Sequence, residues 1–407
     1  MNLRNFWAAP HRPLFLAAFL CALITVGYWP LFTWSGPSEQ LPGVLWHVHE
    51  LIFGFAGAAI GGYTLTALPS WTSQPPLRGL ILMGITSVWA LARLATFQAD
   101  AISPLILVSA NAGYFAILAL ILGQQILSAR AYRKLGFALV CAFMAVMDIL
   151  FLSASVLGTP WISLELARII VFGITLLMIS VGTHAIPAFT RNWMAGIGIS
   201  SHGRRSGVTS RALTQGLLGG VILGTLTGQH ALASIAMIGA ALTLLWHMRG
   251  WQCLSALHNP LLAALHLAFL WVPIGLLALG VIGLNPSFYP AADAMHAITI
   301  GGISGLIMAI AGRAAAHTET GPLKATRGFV IGVVLNWLAT WCRLAVPVFP
   351  NVTNELLQLA ALVWCLGWVA FIVGFSPALI GAPRRPVLSG QRNTMPIART
   401  HKNRSKV

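Results

Sequence analysis

Two histidines and a glutamate stand at the mouth of an apolar run, LPGVLWHVHELIFGFAGAAIGGYTLTALP, over residues 41–69. His47, His49 and Glu50 are costly in lipid, and ionisable groups inside a membrane are functional candidates by default. A neutral imidazole offers one lone pair, which suits iron, copper or zinc, can ligate haem iron, or can pass a proton. Residues two apart on an α-helix are separated by about 200°. His47 and His49 therefore face nearly opposite ways, do not share one small metal ion, and serve two different spaces between helices. His49 has Gly54, Gly57, Gly61 and Gly62 along its helix, and His296 has Gly301, Gly302 and Gly305. Such glycines let helices pack closely; they equally clear room for a flat porphyrin beside an axial imidazole.

A second group lies toward the other end of the spans. His184, in MISVGTHAIPAFTRNW (178–193), and His266, in HNPLLAALHLAFLWVPIG (258–275), sit at matched depth, about 9 Å from the inner ends of their helices. If those helices are neighbours, the pair can hold copper or a second haem, or relay protons. His258 is a further imidazole candidate for metal; with His247 and His317 it also fits the role of an interfacial polar residue. His11, His202, His230 and His401 fall in loops or tails. Arg93, Arg168 and Arg343 lie near the outer ends of their spans, where they either snorkel to the surface or pair with carboxylates such as haem propionates. Asp148 is alone in its span, packed against hydroxyls or part of a proton path. The five cysteines form neither a CxxC pair nor a CxxCH motif, so a haem here is held non-covalently.

The elements that must position these groups are membrane helices. The chain has 407 residues, 57% hydrophobic and only 8% charged, whereas soluble domains carry about a quarter charged residues. Apolar runs of about 20 residues give about twelve spans, near 13–34, 44–69, 79–97, 103–128, 135–158, 161–190, 211–228, 232–249, 260–283, 290–313, 328–347 and 355–380. The run at 211–228 is the weakest. The first span lacks a small-residue cleavage site and is expected to stay as an anchor. The expectation is an all-α polytopic membrane protein, with a transmembrane domain over 1–382 and a basic, disordered cytoplasmic tail over 383–407 that lies near anionic lipid.

A net charge of +16 would point to nucleic acid in a soluble protein. Here Arg78, Arg130, Arg133, Lys134, Arg191, Arg204, Arg205, Arg211, Arg249, Arg313, Lys324 and Arg327 follow even-numbered spans, while the intervening loops carry Glu39, Asp100, Asp293 and Glu355 and no Lys or Arg. That is the positive-inside pattern. It predicts cytoplasmic termini and no nucleic-acid partner.

The spans also repeat. The second ends ALPSWT (67–72) and the sixth AIPAFT (185–190); His49, Arg168 and His296 each precede a glycine (Gly54, Gly173, Gly301) by five residues; PPLRG (75–79) is echoed by GPLKATRG (321–328). These offsets predict three pseudo-equivalent units of four helices. The alignment pairs His49, not His47, with His296. On this reading His49 and His296 are axial ligands of one haem near the outer face. His47 turns to a neighbouring space, where it holds a second cofactor or hydrogen-bonds Glu50 three residues on.

WHVHELIFGF, PSWTSQPPLRG, THAIPAFTRN, NPLLAALHLAFLWVPIGLLALG and MHAITIGGISGLIMAIAGR together resemble the NnrS family of bacterial inner-membrane proteins, over nearly the whole membrane region. The resemblance implies haem b, copper and a part in the nitric oxide response; it transfers no ligand assignment. A looser likeness is to haem–copper oxidases and nitric oxide reductases, which hold a haem between histidines of the second and tenth of twelve helices. Here the histidine pair lies on the second span rather than the tenth, and His184 sits near the inner side. These departures put an oxidase-like dinuclear centre in doubt. The leading reading is a haem- and copper-binding protein that handles nitric oxide, with reduction of NO by a quinol or other donor as one form. A twelve-helix secondary transporter and a non-catalytic sensor or protective binder are the alternatives.

Overall fold

Eleven helices among the described residues are long and apolar enough to cross a membrane. The structure is a computed structural model and describes residues 3–199, 208–316 and 323–381. In chain order the helices are α1 (His11–Phe32), α2 (Gly43–Thr72), α3 (Leu80–Phe97), α4 (Pro104–Ser128), α5 (Tyr132–Val156), α6 (Pro160–Gly196), α7 (Val208–Leu226), α8 (His230–Trp251), α9 (Pro260–Leu284), α10 (Ala291–Ala315), α11 (Arg327–Val348) and α12 (Pro350–Leu379). α7 is the exception in length, with an apolar stretch confined to Ala212–Leu226. No strand occurs among the described residues. Lipid offers the backbone no hydrogen-bond partners, so a helix, which satisfies its own, is the available form. Local sequence starts several of them. Ser103 accepts from the Ile106 amide with Pro104 behind it, Asn259 accepts from Leu261 and Leu262 with Pro260 behind it, and Thr326 accepts from Phe329.

The twelve helices close into a ring of three units. α3 packs on α4, α7 on α8 and α11 on α12 as hairpins; α4 meets α5, α8 meets α9 and α12 meets α1 at the seams between units. α2, α6 and α10 take the same place in each unit, each against the helix before it. The fold is the polytopic helical bundle that composition predicts, with the repeat visible in its packing. At the closing seam Phe19 stacks on Trp368 at 5.3 Å and meets Phe371 and Phe375 edge-on. There Trp364 Nε1 donates to the Ala22 carbonyl at 3.0 Å.

Both α2 and α10 switch to π-helix immediately after a histidine. Glu50–Ala56 follows His49, and Ala297–Ser304 follows His296. Such insertions occur mostly at functional sites. The glycine five residues on is needed for close approach in both. A Cβ on Gly54 would lie 2.7 Å from Cys21 Sγ and 2.9 Å from Arg93 Nη1, and one on Gly301 would overlap the Trp271 indole. Trp89 Nε1 donates to the Gly54 carbonyl at 3.0 Å, and Asn336 Nδ2 to the Ile300 carbonyl at 3.1 Å. In α6 the corresponding Arg168–Gly173 stretch is plain α-helix. Deeper in the bundle, α2, α6 and α10 enclose a cavity of about 160 Å³. His202, His317, His401, Arg204, Arg205 and the tail from 383 lie outside the described residues.

Candidate functional site

His49 is fully buried, and both its ring nitrogens face carboxylates. Nδ1 lies 3.1 Å from Glu50 Oε1 and Nε2 lies 2.9 Å from Asp148 Oδ1. Glu50 Oε1 also accepts from Arg93 Nη1 at 2.9 Å and from the Thr96 hydroxyl at 2.8 Å, and Arg93 Nη2 donates to Asn111 Oδ1 at 2.6 Å. With both carboxyl groups ionised they only accept, and the ring then donates from both nitrogens as an imidazolium. The charges then cancel: Glu50 and Asp148 against Arg93 and His49. Asp148 is thus not alone in the membrane. Its partner is 99 residues away in sequence, on another helix, and it is neither packed on hydroxyls nor without a counter-charge.

His47 points elsewhere, as the 200° spacing requires. Its ring lies 4.8 Å from that of Trp29 and it engages the Trp29 backbone. It stands within electrostatic reach of Arg343 and His296. His47 Nδ1 is buried with no hydrogen-bond partner. His296 Nδ1 lies 2.9 Å from the Ala292 carbonyl; a carbonyl only accepts, so Nδ1 carries the proton and Nε2 carries the lone pair. Arg343 is held by Asp293. Two expectations are corrected here. The repeat alignment pairs His49 with His296, whereas both His49 ring nitrogens meet carboxylates and it is His47 that stands within electrostatic reach of His296. His49 and His296 do share a backbone position, each preceding a π-helix, but equivalent residues of rotation-related helices need not face each other. The hydrogen bond expected between His47 and Glu50 is made by His49 instead.

Of the three arginines, Arg93 is committed to Glu50 and Asn111, and Arg343 to Asp293. Arg168 is exposed in a 2.7 Å pair with Glu165 one turn before it.

The inner histidines have different surroundings rather than a common one. His184 is exposed on α6, with Nδ1 3.0 Å from the Ser180 carbonyl of its own helix. His266 is buried, with Nε2 2.9 Å from Thr190 Oγ1 and Nδ1 3.2 Å from Cys253 Sγ. Thr190 spends its own proton on the Ile186 carbonyl at 3.0 Å, so Nε2 donates to it and Nδ1 is left as acceptor for the thiol. Cys253 is the partner that sequence reading missed; the signal was its place thirteen residues before His266 across one turn between spans. Burial pushes the Cys253 thiol above its usual range. His258 is exposed, with Nδ1 3.3 Å from the Ser255 carbonyl. Among the described residues no three His, Cys, Asp or Glu side chains are grouped as metal ligands.

The loop that follows α1 is tied to the one that follows α3. Asp100 accepts from the Glu39 amide at 2.8 Å, the Gln40 amide at 3.1 Å and the Ser38 hydroxyl at 2.9 Å. The Glu39 amide above all holds its carboxyl below the usual carboxylate range.

No curated protein matches the sequence. The model of one protein family, described as NnrS protein, matches residues 5–384. With nearly the whole chain covered and a polytopic helical bundle to match its composition, this multi-pass membrane protein belongs to the NnrS family.

Proposed function

We propose that the chain is a bacterial inner-membrane protein of the nitric oxide response that binds haem b through His47 and His296 and handles NO there. Family membership supplies the link to the nitric oxide response. The observation that carries the site is the pair of imidazoles on α2 and α10, each with a ring nitrogen left over: buried and unpartnered Nδ1 in His47, lone-pair Nε2 in His296. An unsatisfied buried imidazole is costly, and ligation of iron uses its lone pair. The residues present fit the group.

The haem, when bound, supplies the iron that takes NO. This chain's own groups do the rest. The Ala292 carbonyl fixes the His296 tautomer and ring orientation by accepting from Nδ1, which leaves Nε2 free to ligate. Arg343, held by Asp293, sets a cation within electrostatic reach of both imidazoles for a propionate or for charge developing on the substrate. His49, saturated by Glu50 and Asp148, props α2 from the other side and is not a ligand in this reading. Copper, a soft ion when monovalent, is assigned to Cys253 and His266, where a thiol and an imidazole already meet at 3.2 Å.

The test is an absorption spectrum and metal analysis of the full-length protein purified from haem-replete cells. A haem band that His47→Ala and His296→Ala each remove or convert, in protein that still elutes as a folded species, is the expected result. A colourless, metal-free preparation overturns the reading and favours transport.

A further inference from the structure

We infer that the cavity between α2, α6 and α10 binds one acyl chain of an anionic membrane lipid, with Arg313 holding the headgroup. Its walls are almost wholly apolar: Ala56, Ala59 and Ile60 from α2, Leu177 and Val181 from α6, Ile307 from α10, with related neighbours. The hydroxyl of Thr64, on the same wall, is spent on the Ile60 carbonyl at 2.7 Å. Besides Thr64 the lining includes one other hydroxyl-bearing residue, Tyr63, and the one charged group on it is Arg313 at the end of the slot. The guanidinium there lies 3.9 Å over the Phe189 ring, and the described residues give it no carboxylate.

Length and polarity agree on the occupant. From Ile303 to Arg313 the α10 wall runs about 15 Å at 1.5 Å per residue, about half of a 30 Å hydrocarbon core. That is one leaflet. Arg313 sits at the basic end of the bundle, with Lys324 and Arg327 following it in sequence, where an anionic headgroup would lie if the tail entered the slot. A planar stacked guanidinium presents several N–H donors in a fixed fork, suited to a phosphate. None of these residues belongs to the proposed haem site, so the inference stands or falls apart from it.

The experiment uses the full-length protein in dodecyl maltoside and native mass spectrometry with added dioleoyl phosphatidylglycerol or dioleoyl phosphatidylcholine. One phosphatidylglycerol adduct is expected, favoured over phosphatidylcholine by about fivefold or more. Arg313→Gln should bring the two lipids level, Arg313→Lys should retain part of the preference, and Ala59→Phe, which fills the slot, should remove the adduct. A photoreactive acyl chain on phosphatidylglycerol keeps the test decisive should a variant fail to fold. In wild-type protein it should label residues 56–64 and 303–310. Labelling confined to exposed helix faces, or a preference that Arg313→Gln leaves unchanged, overturns the proposal.

Discussion

His49→Ala should cost far more stability than the loss of one side chain in a loosely packed site, and the cost should sit on Asp148. The substitution removes a 2.9 Å contact to Asp148 and a 3.1 Å contact to Glu50. Glu50 keeps Arg93 at 2.9 Å and Thr96 at 2.8 Å. Asp148 is fully buried, its Oδ2 already has no partner, and it would be left without its counter-ion. Stranding one member of a buried ion pair costs about 3–5 kcal/mol. Adding Asp148→Leu removes the stranded charge, so the double variant should recover part of the loss, with a coupling of about 2–3 kcal/mol. Denaturant titration of the wild type, both single variants and the double variant, followed by tryptophan fluorescence in mixed micelles, measures this. Single effects that add within about 0.5 kcal/mol would refute the charge balance drawn here. Haem per folded molecule supplies the second readout: His49→Ala should retain it, and a folded variant without haem would return the ligand role to His49.

Gly54→Ala should destabilise by about 1–3 kcal/mol, because its Cβ meets Cys21 Sγ and Arg93 Nη1 below 3.0 Å. Gly301→Ala should reach the top of that range because the rigid Trp271 indole cannot swing aside; a thermal shift for each variant checks both. Asp100 has a folded pKa below its unfolded one, so its contribution is present above the ordinary carboxylate range and is lost as pH falls through the folded value. Protection factors at the Glu39 and Gln40 amides, normalised for the intrinsic pH dependence of exchange, should therefore fall only below the ordinary carboxylate range, and Asp100→Asn should show the lower protection already at neutral pH. Reporter fusions in the 191–211 loop should read as cytoplasmic; an external signal would reverse the positive-inside assignment and the sidedness of both histidine groups.

Much of this was open to a reader of the sequence. The span count, the weakness of the seventh span and the three-unit organisation follow from hydropathy and spaced motifs, since lipid leaves helices as the form available to such runs. Even the equivalence of His49 and His296 is real, as two residues that each precede a π-helix. The direction each ring takes could not be read. Whether His49 looks toward His296 or toward Asp148 depends on how α2 is rotated against α5, and no spacing within α2 records that. The carboxylate of Asp148 advertised a need for a partner without naming one 99 residues away. Likewise counting residues from the span ends gives His184 and His266 one coordinate each, whereas the azimuth of α6 turns His184 outward and His266 meets Thr190, six residues further along α6.

The seam between α1 and α12 bears on how the protein is made. The Trp364 bond to the Ala22 carbonyl joins residues 342 apart, and translation at 5–20 residues per second puts roughly 20–70 s between the two emerging. Throughout that interval α1 must sit in the bilayer with Phe19 facing lipid or translocon rather than Trp368, Phe371 and Phe375. Because α1 also backs α2, His47 and His49 are presented on a wall whose far side is still open until the last helix arrives. Synthesis thus leaves a period in which the space between α2 and α10 is open to the haem proposed above, and the aromatic clasp of α12 then shuts the ring.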